Sequence, residues 1–322
     1  MAGHGKHLAD QSRQAIEQGS RSFALASLLF TPDMQRDAHM LYAWCRHCDD
    51  VIDGQNLGFF DGDPSAQDDT PEAMQARLAH LQVQTIAALN GEPVEGPEFA
   101  AFQQVALAHD MPHQHPLDLL EGFRMDATDY QYTTLQDTLD YCYHVAGVVG
   151  VMMAIIMGVD RQDEETLHRA ADLGIAFQLT NIARDIVDDA KIGRVYVPAD
   201  WLEGAGVPAT PDGILDETNR DMLAQIARRL LKEADRYYDS AGYGLRRLPW
   251  RAAAAVAAAR SVYRDIGRLV RQRGPAAWNR RASTSKPRKI WCAGKGLTLA
   301  AGASLNRRRA LPERGDLWTR TV

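Results

Sequence analysis

Gln178-Leu-Thr-Asn181-Ile-Ala-Arg184-Asp185-Ile-Val-Asp188-Asp189 is the stretch that decides the fold. Its apolar residues recur at three- and four-residue steps, the spacing of one helix face. Gln178, Asn181, Asp185 and Asp189 form a polar stripe on that same helix, at steps of three, four and four. A second stretch has the same build: Tyr42-Ala-Trp-Cys-Arg46-His-Cys-Asp49-Asp50-Val-Ile-Asp53, with Tyr42, Arg46, Asp49 and Asp53 at steps of four, three and four. Each contains D-x-x-x-D, which points two carboxylates the same way and destabilises an isolated helix by roughly 0.2–0.5 kcal/mol. A divalent cation offsets that repulsion. Mg²⁺ is typically held by one or two carboxylates plus substrate phosphates. Two facing D-x-x-x-D helices are therefore expected to hold a Mg²⁺ cluster, with a diphosphate completing its coordination. The bland alternative for one cluster is a solvated acidic face, with Arg46–Asp50 and Arg184–Asp188 as ordinary i,i+4 ion pairs. Two matching clusters on mainly apolar helices favour the cation.

Outward from these stretches the spacing stays helical. Asp10–Leu29, Asp33–Asp53, Glu72–Leu89, Leu135–Gly158, Asp163–Asp189, Thr218–Tyr238 and Pro249–Val270 all read as helices. Arg251–Arg260 is nearly all alanine, the best helix former. Breakers fall at Gly54–Pro71, Gly91–Pro97, Pro198–Gly213 and Gly274–Pro287. The chain reads as all-α with about ten helices: one domain over residues 1–270, then a basic tail over 271–322, partly ordered or membrane-contacting.

The composition agrees. The chain has 322 residues, 45% hydrophobic and 24% charged, the mix of a globular protein. Four cysteines do not make a disulfide framework, which favours a reducing compartment, the cytoplasm. Residues 1–10 carry no apolar run, so a secretory leader is not expected. The longest apolar run, Val145–Val159, falls short of the roughly 17–25 residues of a spanning helix. Charge is uneven: residues 271–322 hold 13 Lys+Arg against two Asp+Glu, within a chain of net charge −6. Such a tail suits an anionic surface.

The motifs resemble those of the squalene/phytoene synthase family. Trp44–Asp53 and Asn181–Pro198, the latter trailing into Gly-Arg-Val-Tyr-Val-Pro, are similar to its two Asp-rich motifs. Tyr141-Cys-Tyr-His-Val-Ala-Gly-Val-Val-Gly150, Glu121-Gly-Phe-Arg-Met-Asp126 and Ser20-Arg-Ser-Phe23 fit as well. The resemblance runs from about Ser20 to Ile266 and is nearest to bacterial members making a C40 product. It implies an isoprenoid-synthase helical bundle around an apolar cavity, Mg²⁺ or Mn²⁺ as cofactor, and two allylic diphosphates as substrates. By position, Asp49, Asp53, Asp185 and Asp189 are implied metal ligands, with Asn181 as an additional one. Arg46 and Arg184 are implied diphosphate contacts. Ser20, Phe23, Tyr42, Gln178, Arg194 and Tyr263 are implied to line the site. The implied reaction joins two geranylgeranyl diphosphates head to head through a cyclopropyl diphosphate, releasing both diphosphates. A C30 relative working on farnesyl diphosphate is the near alternative. No G-x-G-x-x-G is present, and no NADPH is expected.

Other signals carry less. Ala146, Gly150, Ala154 and Gly158 make a small-residue stripe that suits either a prenyl tunnel or close helix packing. Phe23, Leu25, Leu28 and Leu29 suit the tunnel or ordinary core. Cys45-x-x-Cys48 lacks the second ligand pair of a zinc site. His113-Gln-His115 reads as a surface turn. The basic tail with Trp278, Trp291 and Trp318 suits peripheral membrane contact better than nucleic acid. Contacts with other carotenoid enzymes are compatible with the resemblance. An all-α Mg²⁺-dependent nucleotide pyrophosphohydrolase is the alternative from another reaction class, and a non-enzymatic helical scaffold is a third.

Overall fold

The computed structural model describes residues 2–19, 21–53, 70–128 and 130–320, and their side chains except those of residues 2–6, 18, 19, 21–23, 53 and 286. Among them no strand occurs. The helices are α1 (Ala2–Gly19), α2 (Arg21–Ser27), α3 (Pro32–Asp53), α4 (Pro71–Asn90), α5 (Gly96–Ala108), α6 (Gln114–Ala127), α7 (Leu135–Cys142), α8 (Val148–Ile156), α9 (Glu164–Lys191), α10 (Ala199–Gly204), α11 (Pro211–Leu215), α12 (Arg220–Gly244), α13 (Trp250–Arg273) and α14 (Lys286–Leu305). A π-helical turn, Tyr143–Gly147, joins α7 to α8. Local chemistry sets the ends. Thr70 and Asp163 cap α4 and α9 by accepting from the Ala73 and Thr166 N–H groups. Thr134 and Asp137 form a reciprocal capping box on α7.

The chain divides into two compact units, residues 1–129 with 151–161, and 130–150 with 162–322. In the first, α3 packs on α1 and α5. Trp44 of α3 is fully buried and stacks on Phe102 of α5, ring centroids 4.0 Å apart. Ser27 and His39 share a 2.8 Å hydrogen bond, and His109 meets Asp37 at 3.0 Å. These contacts fix α3 along its length. Leu25 of α2 and Leu28, just past its end, are exposed and add nothing to this core.

In the second unit, α9 packs against α12, α13 and the π-helical turn. At 28 residues α9 is about 42 Å long. Its fit to the π-helical turn depends on missing side chains. A Cβ on Gly174 would lie 2.1 Å from Ala146 O, and one on Gly150 2.3 Å from Ala170 O. The first half of the small-residue stripe is therefore close backbone packing. Gly158 has a different role: its φ of +88° lies in the left-handed region, two residues after α8 ends.

The basic C-terminal segment folds onto this unit. Helix α14 packs along α13, with Cys292, Gly296 and Ala300 buried. Residues 311–320 then return as a strap. Arg314 grips the fully buried Asp172 through Nε at 3.0 Å and Nη2 at 2.6 Å. The Trp318 ring lies on Tyr143 at 4.6 Å, and its indole N–H donates to Asp140.

Leu135–Ile156 is the one described stretch long and apolar enough to cross a membrane by composition, and about two-thirds of it is buried inside the fold. Core burial accounts for its hydropathy.

Candidate active site

The second Asp-rich stretch lies on α9 as its spacing predicts. Asn181 Nδ2 donates to Gln178 Oε1 at 3.2 Å, one turn earlier. Asp185 is held by two guanidiniums. Arg184 donates through Nε to Oδ1 at 2.8 Å and through Nη2 to Oδ2. Arg281 donates through Nε to Oδ1 at 3.1 Å and through Nη2 to Oδ2 at 2.8 Å. Burial alone raises the Asp185 carboxyl, but these bonds more than offset it and hold the group below the usual carboxylate range. Asp189, one turn on, has the opposite balance. Burial first, then the charge of Asp185, pushes its carboxyl up to about 7.

Gly193, with φ of +81°, turns the chain at the end of α9. Arg194 N–H donates to Asp189 O at 2.9 Å, which places Arg194 at that end. Tyr196 anchors the following segment by stacking on Tyr141 at 4.7 Å, and its carbonyl accepts from Thr138 Oγ1 at 2.9 Å. Tyr263 comes from α13 and stacks on Phe177 at 4.1 Å. Burial raises its phenol, and Arg184, Arg281 and Asp185 all lie within electrostatic reach of it.

The first Asp-rich stretch lies on α3. Arg46 bridges Asp49 through Nη1 at 2.8 Å and Asp50 through Nε at 3.0 Å. Burial pushes the Tyr42 phenol, one turn before Arg46, up to about 12. Cys45 and Cys48 are free thiols raised by burial, as small core residues would be.

The structure thus groups Gln178, Asn181, Arg184, Asp185, Asp189, Arg194 and Tyr263 in one unit, and Tyr42, Arg46 and Asp49 in the other. Ser20, and the side chains of Phe23 and Asp53, lie outside the described residues. Two details depart from the sequence reading: the ion pair the bland alternative offered at Arg184, and Arg281. Arg184 pairs with Asp185, the next residue, and Asp188 is taken instead by Lys191 at 2.8 Å. His113 is an exposed turn residue just before α6, in keeping with a surface turn, and His115 lies in the first turn of that helix. Arg281, absent from the expected set, sits in the segment read as a tail, 96 residues from its partner. Its only signal was positive charge.

The donor set on α9 fits a hard divalent cation. Asn181 Oδ1 is buried with no hydrogen-bond partner, an acceptor left for something to fill. Asp189, one helical turn past Asp185, is a half-buried carboxyl whose charge the protein does not fully neutralise. All are oxygen ligands, the kind Mg²⁺ and Mn²⁺ take.

Comparison with known proteins agrees with this picture. The chain matches the squalene/phytoene synthase family over residues 16–288, a span that takes in Arg281. It is 52% identical over 317 residues to a 15-cis-phytoene synthase of Pantoea ananas, covering 98% of each chain. It is 49% identical over 318 residues to a phytoene synthase of Pseudescherichia vulneris, again covering 98% of each. Its fold is similar to that of a dehydrosqualene synthase solved with a ligand, with a TM-score of 0.78 at 24% identity, covering 92% of this chain and 98% of that one.

All-helical with acid-rich helices, the protein has the isoprenoid synthase fold. More narrowly, it belongs to the squalene/phytoene synthase family. Members of that family are divalent-metal-dependent prenyltransferases of isoprenoid biosynthesis.

Proposed function

We propose that the protein condenses two geranylgeranyl diphosphates head to head to give phytoene, in carotenoid biosynthesis. The observation that carries the reading is the α9 constellation, a buried carboxylate held by two arginines beside an unpartnered amide oxygen, on a chain about half identical to bacterial 15-cis-phytoene synthases along nearly its whole length.

Asn181, Asp185 and Asp189 on α9 would hold a divalent cation, and by their place in the first Asp-rich motif Asp49 and Asp53 are proposed metal ligands as well. When bound, the cation supplies Lewis-acid neutralisation of the departing diphosphate. Arg184 and Arg281 are the protein's own contribution to that charge, and Arg46 has the same role on α3. Guanidinium forks match phosphate oxygens bidentately. As the first diphosphate leaves, an allylic cation forms, and the double bond of the second substrate attacks it. Loss of a proton gives the cyclopropyl diphosphate, which ionises, rearranges and loses another proton. Burial raises the phenols of Tyr42 and Tyr263, which makes them poor proton acceptors; the released diphosphate is the stronger base. Water must be kept out, or the cation is hydrolysed. The cation is Mg²⁺ or Mn²⁺, NADPH has no part, and the enzyme works in the cytoplasm in peripheral contact with the membrane.

Asp185→Asn and Asp189→Asn test the roles of the carboxylates. Both should abolish hydrocarbon formation and leave the helical circular dichroism signal unchanged. Retained turnover contradicts the assignment.

A further inference from the structure

Helix α14 has two unlike faces. Its inner face is fixed against α13: Cys292, Gly296 and Ala300 are buried, and a Cβ on Gly296 would lie 2.7 Å from Ala254 O. Its outer face carries Ile290, Trp291, Leu297 and Leu305, exposed by 69%, 51%, 38% and 89%. These are four of the eleven large apolar side chains exposed among the described residues. Solitary exposed apolar residues need no explanation, but a row of them along one helix does.

The charge around that row indicates what covers it. Residues 266–312 contain twelve Lys+Arg and no Asp or Glu. Arg288 and Lys289 lie at one end of the row and Arg307, Arg308 and Arg309 at the other. Lys289, Lys295, Arg308 and Arg309 make no ion pair among the described residues. Trp291 is framed by cations, with Arg288 Cζ 4.3 Å and Lys295 Nζ 5.4 Å from its ring centroid. A tryptophan among basic residues, beside aliphatic side chains on one helix face, matches the chemistry of an anionic headgroup layer above acyl chains. A second copy of the chain would bring the same positive charge onto itself, which disfavours a symmetric dimer through this face.

We infer that the outer face of α14 is a docking surface for an anionic lipid bilayer, with Ile290, Trp291, Leu297 and Leu305 entering the headgroup boundary and the flanking Lys and Arg meeting lipid phosphates. The inference rests on the proposed membrane contact and assigns it to one helix face. Deleting the whole segment cannot test it, because Arg281 and the packing of α14 would go with it.

The test uses the full chain and vesicles of phosphatidylcholine with about 30% phosphatidylglycerol, against phosphatidylcholine alone. The parent protein should sediment with the anionic vesicles and detach in high salt. The variant Ile290→Ser/Trp291→Ser/Leu297→Ser should lose about ten-fold or more in partition, and so should Lys289→Glu/Arg308→Glu/Arg309→Glu. Both should keep hydrocarbon formation from substrate in detergent micelles, which separates docking from folding. A parent that binds while both variants bind equally well overturns the assignment to α14 alone. A parent that fails to bind anionic vesicles overturns the membrane contact as well. A dimer in solution that the serine variant dissociates overturns the inference in favour of self-association.

Discussion

Arg281 closes a two-pronged contact on Asp185, Nε to Oδ1 at 3.1 Å and Nη2 to Oδ2 at 2.8 Å, from a segment 96 residues further along the chain. Asp185 is also held by Arg184, so one buried carboxylate has twice the positive charge it needs. The surplus suits a site that must receive a diphosphate. The Arg281 side chain is 64% exposed, so its removal should cost little stability. Arg281→Ala should lower kcat/KM by about 10²-fold, in the range of losing one preorganised charge donor. Unchanged kinetics would make Arg281 a surface ion pair only.

Arg314 and Asp172 give a stability prediction. The Asp172 side chain is fully buried and that of Arg314 is 12% exposed. Arg314→Met leaves a buried carboxylate facing only neutral or shared partners, and should destabilise the fold by about 3–5 kcal/mol. Pairing it with Asp172→Asn should recover part of that loss. Denaturant midpoints of the single and double variants check both statements.

Glycines distinguish tight packing from open space. Gly174→Ala places a Cβ 2.1 Å from a backbone oxygen that cannot rotate away, and should cost about 1–3 kcal/mol. Gly204→Ala meets nothing within 4 Å and should stay within about 0.5 kcal/mol of the parent. Equal thermal midpoints for the two variants would contradict the close approach of α9 to the π-helical turn.

Acid sensitivity follows from Asp37. Burial raises its carboxyl, but hydrogen bonds from His109 and Arg36 more than offset this and hold it below 3.8. A depressed acid adds stability that is complete above its unfolded value and is lost as pH falls through its folded one. Asp37→Asn removes this share. The variant should therefore lose less stability than the parent between pH 5 and pH 3, as read from urea midpoints. Parallel pH profiles would contradict the role of Asp37.

The sequence made α3, α9, α12 and α13 legible because each alternates a buried face with a polar one. Helices α5 and α6 are hidden in the sequence, because α5 opens on Gly96-Pro97 and α6 begins between Pro112 and Pro116, which read as loop. Helix α14 reads as part of a basic tail because positive charge dominates residues 271–322 and breakers fall at Gly274–Pro287 just before it. The α9 site residues were visible as a polar stripe, yet their pairing was not. Arg184 turning to Asp185 rather than Asp188 is a rotamer choice, and the Arg281–Asp185 contact depends on tertiary folding. The small-residue stripe stayed ambiguous because close packing and open volume use the same residues.

The most direct test of the central claim is the product itself. Purified protein is incubated with labelled geranylgeranyl diphosphate and Mg²⁺, without NADPH, and the hexane extract is analysed, with farnesyl diphosphate in parallel. A C40 hydrocarbon with a central triene, formed in preference to any C30 product, is the predicted result. A C30 hydrocarbon from farnesyl diphosphate alone, or no hydrocarbon from either substrate, would contradict it.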